Sequence, residues 1–411
     1  PMRTKLVIVA ILVSLPMAML ATWSLLQVRG KLRGVQLEQQ GLVVLDRISA
    51  LSVALQQHRV LTQRLLVGVA EPATPRAEVR KAIDAGASDI SIRLQSEPGL
   101  ELMGEWQAVQ RRVQAAVADG AGAAAVDSLA KQADAQDALR HLARLTAERS
   151  GLLLDSHASS YLPLELATTH LAPLMDSTAQ ATAVGVAALD AREAGVSPAE
   201  RTQLLTLAGR IDQQLREAQV VVDSLDRSGL PPMVTWKTAV AASDGFATEL
   251  RDVFANERPE LAAAALAAAG REVLMQQQQV LVESFERSAR ALDETTGRLM
   301  RQLVVMLTTF VAGGLLTAYL FLALYRTFMG SITSLQRSTA AVADGDLSTH
   351  LDLPGRDELS HIGRTVNGMN ERLSSLVAEI RSSAARVNMA GNQVAEGSPR
   401  LSQRTAEQPS N

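Results

Sequence analysis

The sequence predicts an all-α membrane protein: two transmembrane helices, an elongated helical bundle between them, and a coiled coil after the second span. Three observations carry this. Leu6–Val28 and Leu303–Tyr325 are apolar runs of 23 residues each. At a rise of about 1.5 Å per residue, a helix of that length crosses a hydrocarbon core of about 30 Å. Aromatic residues make up only 3% of the chain while hydrophobic residues reach 47%, a balance that suits helices better than strands. Finally, Leu359, Val366, Leu373, Ile380, Val387, Val394 and Leu401 lie seven apart, the period of a left-handed supercoil.

In chain order, residues 1–5 carry Arg3 and Lys5, and 6–28 form the first span. A cleaved signal peptide would have an apolar stretch of about 7–15 residues and a small-x-small site. The run here is longer and no clear site follows, so it reads as an anchor, with Pro16 tolerated inside a membrane helix. Arg29, Lys31 and Arg33 follow the span, so positive charge on both sides leaves orientation undecided.

Residues 29–302 are punctuated by helix breakers: Pro72 and Pro75, Pro98-Gly99, Gly120 and Gly122, Gly195 to Pro198, Gly229 to Pro232, and Pro259. Between them no strand-like alternation occurs. Arg29–Ala70 reads as a helix leaving the membrane and Glu260–Arg301 as one returning to it. The returning helix places Leu274, Leu281, Phe285, Leu292 and Leu299 close to a seven-residue rhythm, the mark of a bundle seam. One four-helix bundle uses about 150 residues. Residues 29–302 exceed that, so two stacked bundles sharing long first and last helices are expected. Ala121–Val126 reads as a flexible link and Gln276–Gln279 as a solvated face. Gln56-Gln57-His58-Arg59 with Arg64 either presents a guanidinium to an anion or forms solvent-facing charges on a long helix; no ligand residue is assigned.

After the second span (303–325) comes a short amphipathic helix with Ile332, Leu335 and Val342. Gly345-Asp346-Leu347 breaks it, Ser348–Gly355 is an extended connector, and Asp357-Glu358 opens the next helix, where carboxylates meet free N–H groups. Ile362, Met369 and Leu376 add a second apolar row beside the row from Leu359. Two such helices bury their stripes by pairing with a second copy, which predicts a parallel four-helix homodimer.

Residues 326–378 resemble the HAMP linker of bacterial transmembrane receptors. The shared marks are Gly345-Asp346-Leu347, Asp357-Glu358, and an Asn-x-Met at Asn367-Gly368-Met369, or Asn370 close by. The proline usual in the first linker helix is Ser331 here. The resemblance implies that Gly345, Asp346, Leu347, Asp357 and Glu358 set the linker geometry while Leu359, Ile362, Val366 and Met369 form its core.

Residues 379–411, with Leu401-Ser402-Gln403-Arg404-Thr405, resemble the start of the signalling helix of methyl-accepting chemotaxis proteins. That family has a modifiable Glu or Gln shortly after the threonine, matched here by Glu407, although Pro409 would break a helix there. It also has a helical hairpin whose tip binds a chemotaxis kinase and an adaptor; none of it precedes Asn411, so the chain reads as a receptor truncated before its signalling hairpin. Arg149-Ser150-Gly151-Leu152-Leu153-Leu154-Asp155 with Ser160-Tyr161 resembles a stretch in helical sensor regions of the same receptors. Together these resemblances imply a bacterial inner-membrane receptor, residues 1–5 and 326–411 cytoplasmic, residues 29–302 a periplasmic sensor for an unidentified ligand.

Other chemistry is not indicated. A formal charge of −3 supplies no basic face for nucleic acid, and a chain with no cysteine makes no disulfide or thiolate metal site. There is no phosphate-binding Gly-Lys-Ser/Thr loop, Gly-x-Ser-x-Gly elbow or His-Glu-x-x-His helix. No catalytic, cofactor or metal residue is expected, and no enzyme. Ser360-His361-Ile362-Gly363-Arg364-Thr365 lacks the Glu after His and the Pro after Thr of a histidine-kinase phosphoacceptor box, so His361 reads as structural. Two rivals stand beside the receptor reading. One is the input half of a sensor histidine kinase or cyclic-nucleotide enzyme, which share this linker; the other is a structural membrane-tethered coiled coil.

Overall fold

The computed structural model describes residues 2–66, 73–118, 125–155, 157–190, 195–255, 260–353 and 357–406. Among them every regular element is helical. Helices α1 (Met2–Leu66), α2 (Ala73–Ser96), α3 (Met103–Val117), α4 (Ala125–Arg149), α5 (Ala158–Glu165), α6 (Ala172–Asp190), α7 (Pro198–Arg227), α8 (Trp236–Phe254), α9 (Ala263–Ala343) and α10 (Glu358–Ala406) follow in order. The chain divides into two compact units, Trp23–Val305 and a second made of Pro1–Thr22 with Met306–Asn411.

The unit Trp23–Val305 holds two hydrophobic cores. The first joins α1 to α2, α3 and α4. Val44, Ile48, Leu51 and Leu55 repeat at helical spacing along one face of α1 and bury against Ile83, Ile90, Trp106, Val113 and Leu139. Trp106 is fully buried, and its indole N–H donates to Ser91 Oγ at 2.8 Å, so the large ring enters the core without an orphaned donor. The second core joins α5 to α9 and takes Val35, Leu42, Leu45 and Val53 from α1. Leu281, Phe285 and Leu292 are buried in it, with Leu274 and Leu299 half-buried at its margin, so the seam read from the sequence is the packed face of α9. Of the two long helices, α1 serves both cores, whereas the apolar side chains of α9 enter only the second.

Local signals explain the boundaries. Ser197 caps α7: its Oγ accepts from the Glu200 N–H at 3.2 Å, and the Glu200 carboxylate accepts from the Ser197 N–H at 3.0 Å. Pro198 follows at the first helical position, where no donor is needed. Gly229, at φ 71°, closes α7, with Leu230 N–H reaching Leu225 C=O and Gly229 N–H reaching Asp226 C=O. Glu283 of α9 then pins the α7–α8 turn, accepting from Val234 N–H at 3.1 Å, Thr235 N–H at 3.0 Å and Thr235 Oγ at 2.6 Å. Burial raises its pKa, but these bonds and Arg287 outweigh burial and hold it below the usual carboxylate value.

Three features depart from the sequence reading. The chain breaks after Arg149, with Gly151 at φ 87° and a 3-10 turn over Leu152–Leu154, although no proline marks the place. Gln277 is fully buried, donating to Thr178 Oγ1 and Ser243 Oγ at 3.0 Å each, so one residue of Gln276–Gln279 faces the core instead of solvent. The amphipathic stretch with Ile332, Leu335 and Val342 is the end of α9, which runs unbroken through the second apolar segment. Most of the Ala121–Val126 link lies outside the described residues, as does Ala70.

In the other unit, the apolar segments of α1 and α9 present Val7 to Leu20 and Leu307 to Leu324 as exposed hydrophobic side chains. Both helices are long and apolar enough to cross a membrane. Gly313 lets the Met17 side chain approach: a Cβ at Gly313 would stand 2.8 Å from the Met17 methyl.

Candidate functional site

The clearest constellation lies where α9 hands over to α10. Helix α9 ends at Ala343, and Gly345 takes φ 91°. Asp346 N–H reaches back to Ala341 C=O at 2.9 Å while Gly345 N–H reaches Val342 C=O at 3.1 Å. This pair of bonds is a Schellman closure, and its left-handed residue is the reason for glycine at 345. Asp346 then turns the chain: its Oδ1 accepts from Ser348 Oγ at 2.5 Å and Ser348 N–H at 3.0 Å. Those bonds hold its pKa below the usual carboxylate value.

The connector is fastened to α10 by two asparagines. Asn367 accepts from Leu351 N–H at 2.9 Å and donates to Leu351 C=O at 2.9 Å, mimicking one rung of a β-ladder. Asn370, buried on α10, donates to Thr349 C=O at 3.3 Å. Leu351 is buried, and Gly363 opens the surface of α10 to it: a Cβ there would lie 2.9 Å from Leu353 Cδ1 and 3.5 Å from Leu351 Cδ2. Asp357 is the N-cap of α10, accepting from Ser360 N–H at 3.0 Å and Ser360 Oγ at 2.8 Å. The backbone bond, then the hydroxyl bond, lowers its pKa.

The structure therefore places Gly345 and Asp346 in the turn that closes α9, and Asp357 and Glu358 at the start of α10. Leu347, Leu359 and Val366 are half-buried, whereas Ile362 and Met369 are 44% and 46% exposed. Further along, Leu376, Ile380, Val387 and Val394 are all more than half exposed, a continuous apolar stripe on a solitary helix. His361 is exposed. Glu407 and Pro409 lie outside the described residues. Sequence reading named Asn367 and Asn370 only as a motif and gave them no work; their spacing of three, which puts both on one helix face, was the available signal. Leu351, Leu353 and Gly363 carried no signal, because the contact that uses them joins segments brought together only by the fold.

A second polar group lies inside the unit Trp23–Val305. On α1, Gln56, His58, Arg59, Thr62 and Gln63 are all buried, Arg59 at 2% exposure, so the solvent-facing reading of this stretch fails. Arg59 donates to Asp176 Oδ1 at 2.8 Å, and Arg140 of α4 reaches Asp176 Oδ2 at 3.1 Å. Arg64 pairs with Asp190 at 3.5 Å. One buried-side carboxylate thus ties α1, α4 and α6. Among the described residues no group of His, Cys, Asp and Glu is arranged to hold a metal ion.

Residues 323–375 match the family model described as HAMP domain. That match includes the α9–α10 junction and both asparagines. With the two apolar helices it makes this a membrane protein of transmembrane signal transduction. No curated protein matches the chain. A solved structure described as "Structure of the NasR transcription antiterminator" is similar at 16% identity and a TM-score of 0.47, covering 88% of this chain and 99% of that one; a likeness of that size supports no argument about either fold or function.

Proposed function

We propose that this protein is a non-enzymatic receptor of the chemotaxis type, in which the unit Trp23–Val305 senses a ligand outside the inner membrane and α9 carries the signal to the junction at Gly345. The observation that carries the reading is the junction itself. One continuous helix leads from the second core, through the apolar segment, to a tightly bonded turn whose connector rests on α10. Packed helical interfaces repack between discrete arrangements, so a small shift of α9 becomes a two-state change in α10. The exposed stripe from Ile362 to Val394 supports a parallel homodimer, since pairing with a second copy is what buries it. Gly345 and Asp346 set the turn, Asp357 and Glu358 start α10, and Leu359, Ile362, Val366 and Met369 form the dimer core. In this reading the kinase and adaptor act on a full-length form, and Glu407 is the methyl-accepting position.

The Leu401-Ser402-Gln403-Arg404-Thr405 run favours the chemotaxis output over a histidine kinase or cyclic-nucleotide output. Two in-register fusions test this, one joining residues 1–404 to a chemoreceptor hairpin and the other joining them to a histidine-kinase catalytic region. Reconstituted with the chemotaxis kinase and adaptor, the first fusion is expected to stimulate the kinase, and Val366→Asp to remove the stimulation. A silent first fusion beside an active second one refutes the chemotaxis output.

A further inference from the structure

A cavity of about 360 Å³ opens in the unit Trp23–Val305 where α1, α2, α6 and α9 meet. Space of that order takes a small organic molecule. Its wall is mostly apolar, and the two cores leave much of that wall unclaimed. Val60 and Leu61 of α1 line it, are half-buried, and belong to neither core. Val79 of α2 comes from the margin of the first core, whereas Ala267 and Leu274 of α9 come from the second. The cavity therefore lies on the seam between the cores. Protein interiors leave few voids larger than a water, so a cleft of this size is more than a packing gap. Water standing on these branched side chains gains free energy by leaving them.

Gln57, Thr182 and Arg271 also line the space. The Thr182 hydroxyl gives its proton to Thr178 C=O at 2.8 Å, so it has none for a ligand. Gln57 and Arg271 are exposed and, among the described residues, form no hydrogen bond or ion pair. Glu272 does not answer Arg271: adjacent residues on a helix do not face each other, and Glu272 accepts from Gln276 at 2.8 Å. Around Val79, α2 carries Arg76, Arg80 and Lys81 against Glu78, which adds positive potential on that side. The guanidinium alone is a solvated surface charge, and the apolar wall alone admits any oily molecule. Together they select for body and charge at once.

We propose that this cavity binds a small organic carboxylate with an apolar body, either branched-aliphatic or a single aromatic ring. The body covers Val60, Leu61, Val79 and Leu274. The carboxylate stays at the solvent side, where the Arg271 guanidinium donates to it and the Gln57 amide N–H serves its second oxygen. Because the walls come from elements of both cores, an occupant adds apolar contact across the seam and ties α2 to α9. Its service as the receptor's input rests on the reading above; the binding does not.

The test uses the full chain in lipid nanodiscs, where no detergent competes for an apolar cleft, and calorimetric titration at fixed pH and ionic strength. Sodium benzoate and sodium isovalerate are the probes. Benzamide removes the charge, benzylamine reverses it, and sodium formate removes the body. At least one probe is expected to bind saturably with a negative heat-capacity change, the mark of apolar burial, and the three comparison molecules to bind more weakly. Arg271→Gln is expected to weaken the carboxylate by about tenfold, the low end for a hydrogen bond to a charged group, and to leave benzamide unchanged; a merely structural arginine would weaken both alike. Val79→Glu sets a carboxylate in the wall and is expected to abolish binding. Should that variant fail to fold by circular dichroism, Gln57→Glu at the exposed edge replaces it. Arg251→Gln, which breaks a pair with Asp212 elsewhere in the unit, keeps full affinity. The proposal is overturned if neither probe binds saturably, if any comparison molecule binds as tightly, or if Arg271→Gln binds the carboxylate like the parent. Binding with no accompanying change in cross-linking along α10 supports the site and counts against the receptor reading alone.

Discussion

Asn367 is the residue whose removal tests the junction most directly. Its side chain satisfies both backbone groups of Leu351 at 2.9 Å each, and the buried Leu351 side chain lies beside Gly363 of α10. Asn367→Ala deletes both bonds. At about 0.5–1.5 kcal/mol net per bond, the connector loses about 1–3 kcal/mol of its docking free energy. If the connector opens locally and exchanges from the open form, that loss speeds exchange of the Leu351 amide by about 5- to 150-fold, since 1.4 kcal/mol is about tenfold. Hydrogen exchange of the full chain in micelles, read on a peptide covering residues 346–353, measures it. Asn367→Asp keeps the acceptor for Leu351 N–H, loses the donor to Leu351 C=O and sets a charge beside that carbonyl, so it should be at least as damaging. Peptides from α7 and α8, in the other unit, should exchange as in the parent. Exchange at Leu351 that stays within twofold of the parent in both variants would refute the clamp and with it the bonded-connector account of the junction.

Further outcomes are expected. Gly345→Ala forces a side chain into φ 91° and should cost about 1–2 kcal/mol of local stability, seen as faster exchange of the Gly345 and Asp346 amides with little change elsewhere. The Asp357 cap has a folded pKa below its ordinary 3.8. Its stabilising contribution is therefore complete above that value and is lost as pH falls through the lower folded pKa; exchange-corrected protection of the Ser360 amide should be flat from neutrality to about pH 5 and weaken only in stronger acid. Val366→Asp puts a charge into the proposed dimer seam, costing several kcal/mol if it stays unpaired, so disulfide cross-linking through a cysteine at Leu373 should fall sharply; equal cross-linking in the variant, or none in the parent, rejects the parallel dimer. A cysteine at Gly195 should react with an impermeant thiol reagent in intact cells and one at Asn388 should not, whereas the reverse pattern would invert the proposed topology.

Short-range physics was readable from the residues alone. Apolar runs of spanning length, low aromatic content and the 3.6- and 7-residue periods determined that the protein is helical, which segments are apolar enough for a membrane, and which face of α9 packs, because hydrophobic spacing acts within a few turns of one helix. The same holds for the caps: Ser197 with Glu200, Gly229, Gly345 and Asp357 each act on backbone groups within five residues. Only the tertiary structure decided the rest. It placed Arg59 and Gln277 inside although their composition reads as surface, since a polar side chain is buried wherever distant partners such as Asp176, Thr178 and Ser243 satisfy it. It broke the chain at Gly151 where no proline stands, and confined the apolar face of α9 to one of two cores. It also assigned Asn367 its work, because the donor and acceptor it serves belong to Leu351, sixteen residues away along a connector whose path no local rule sets.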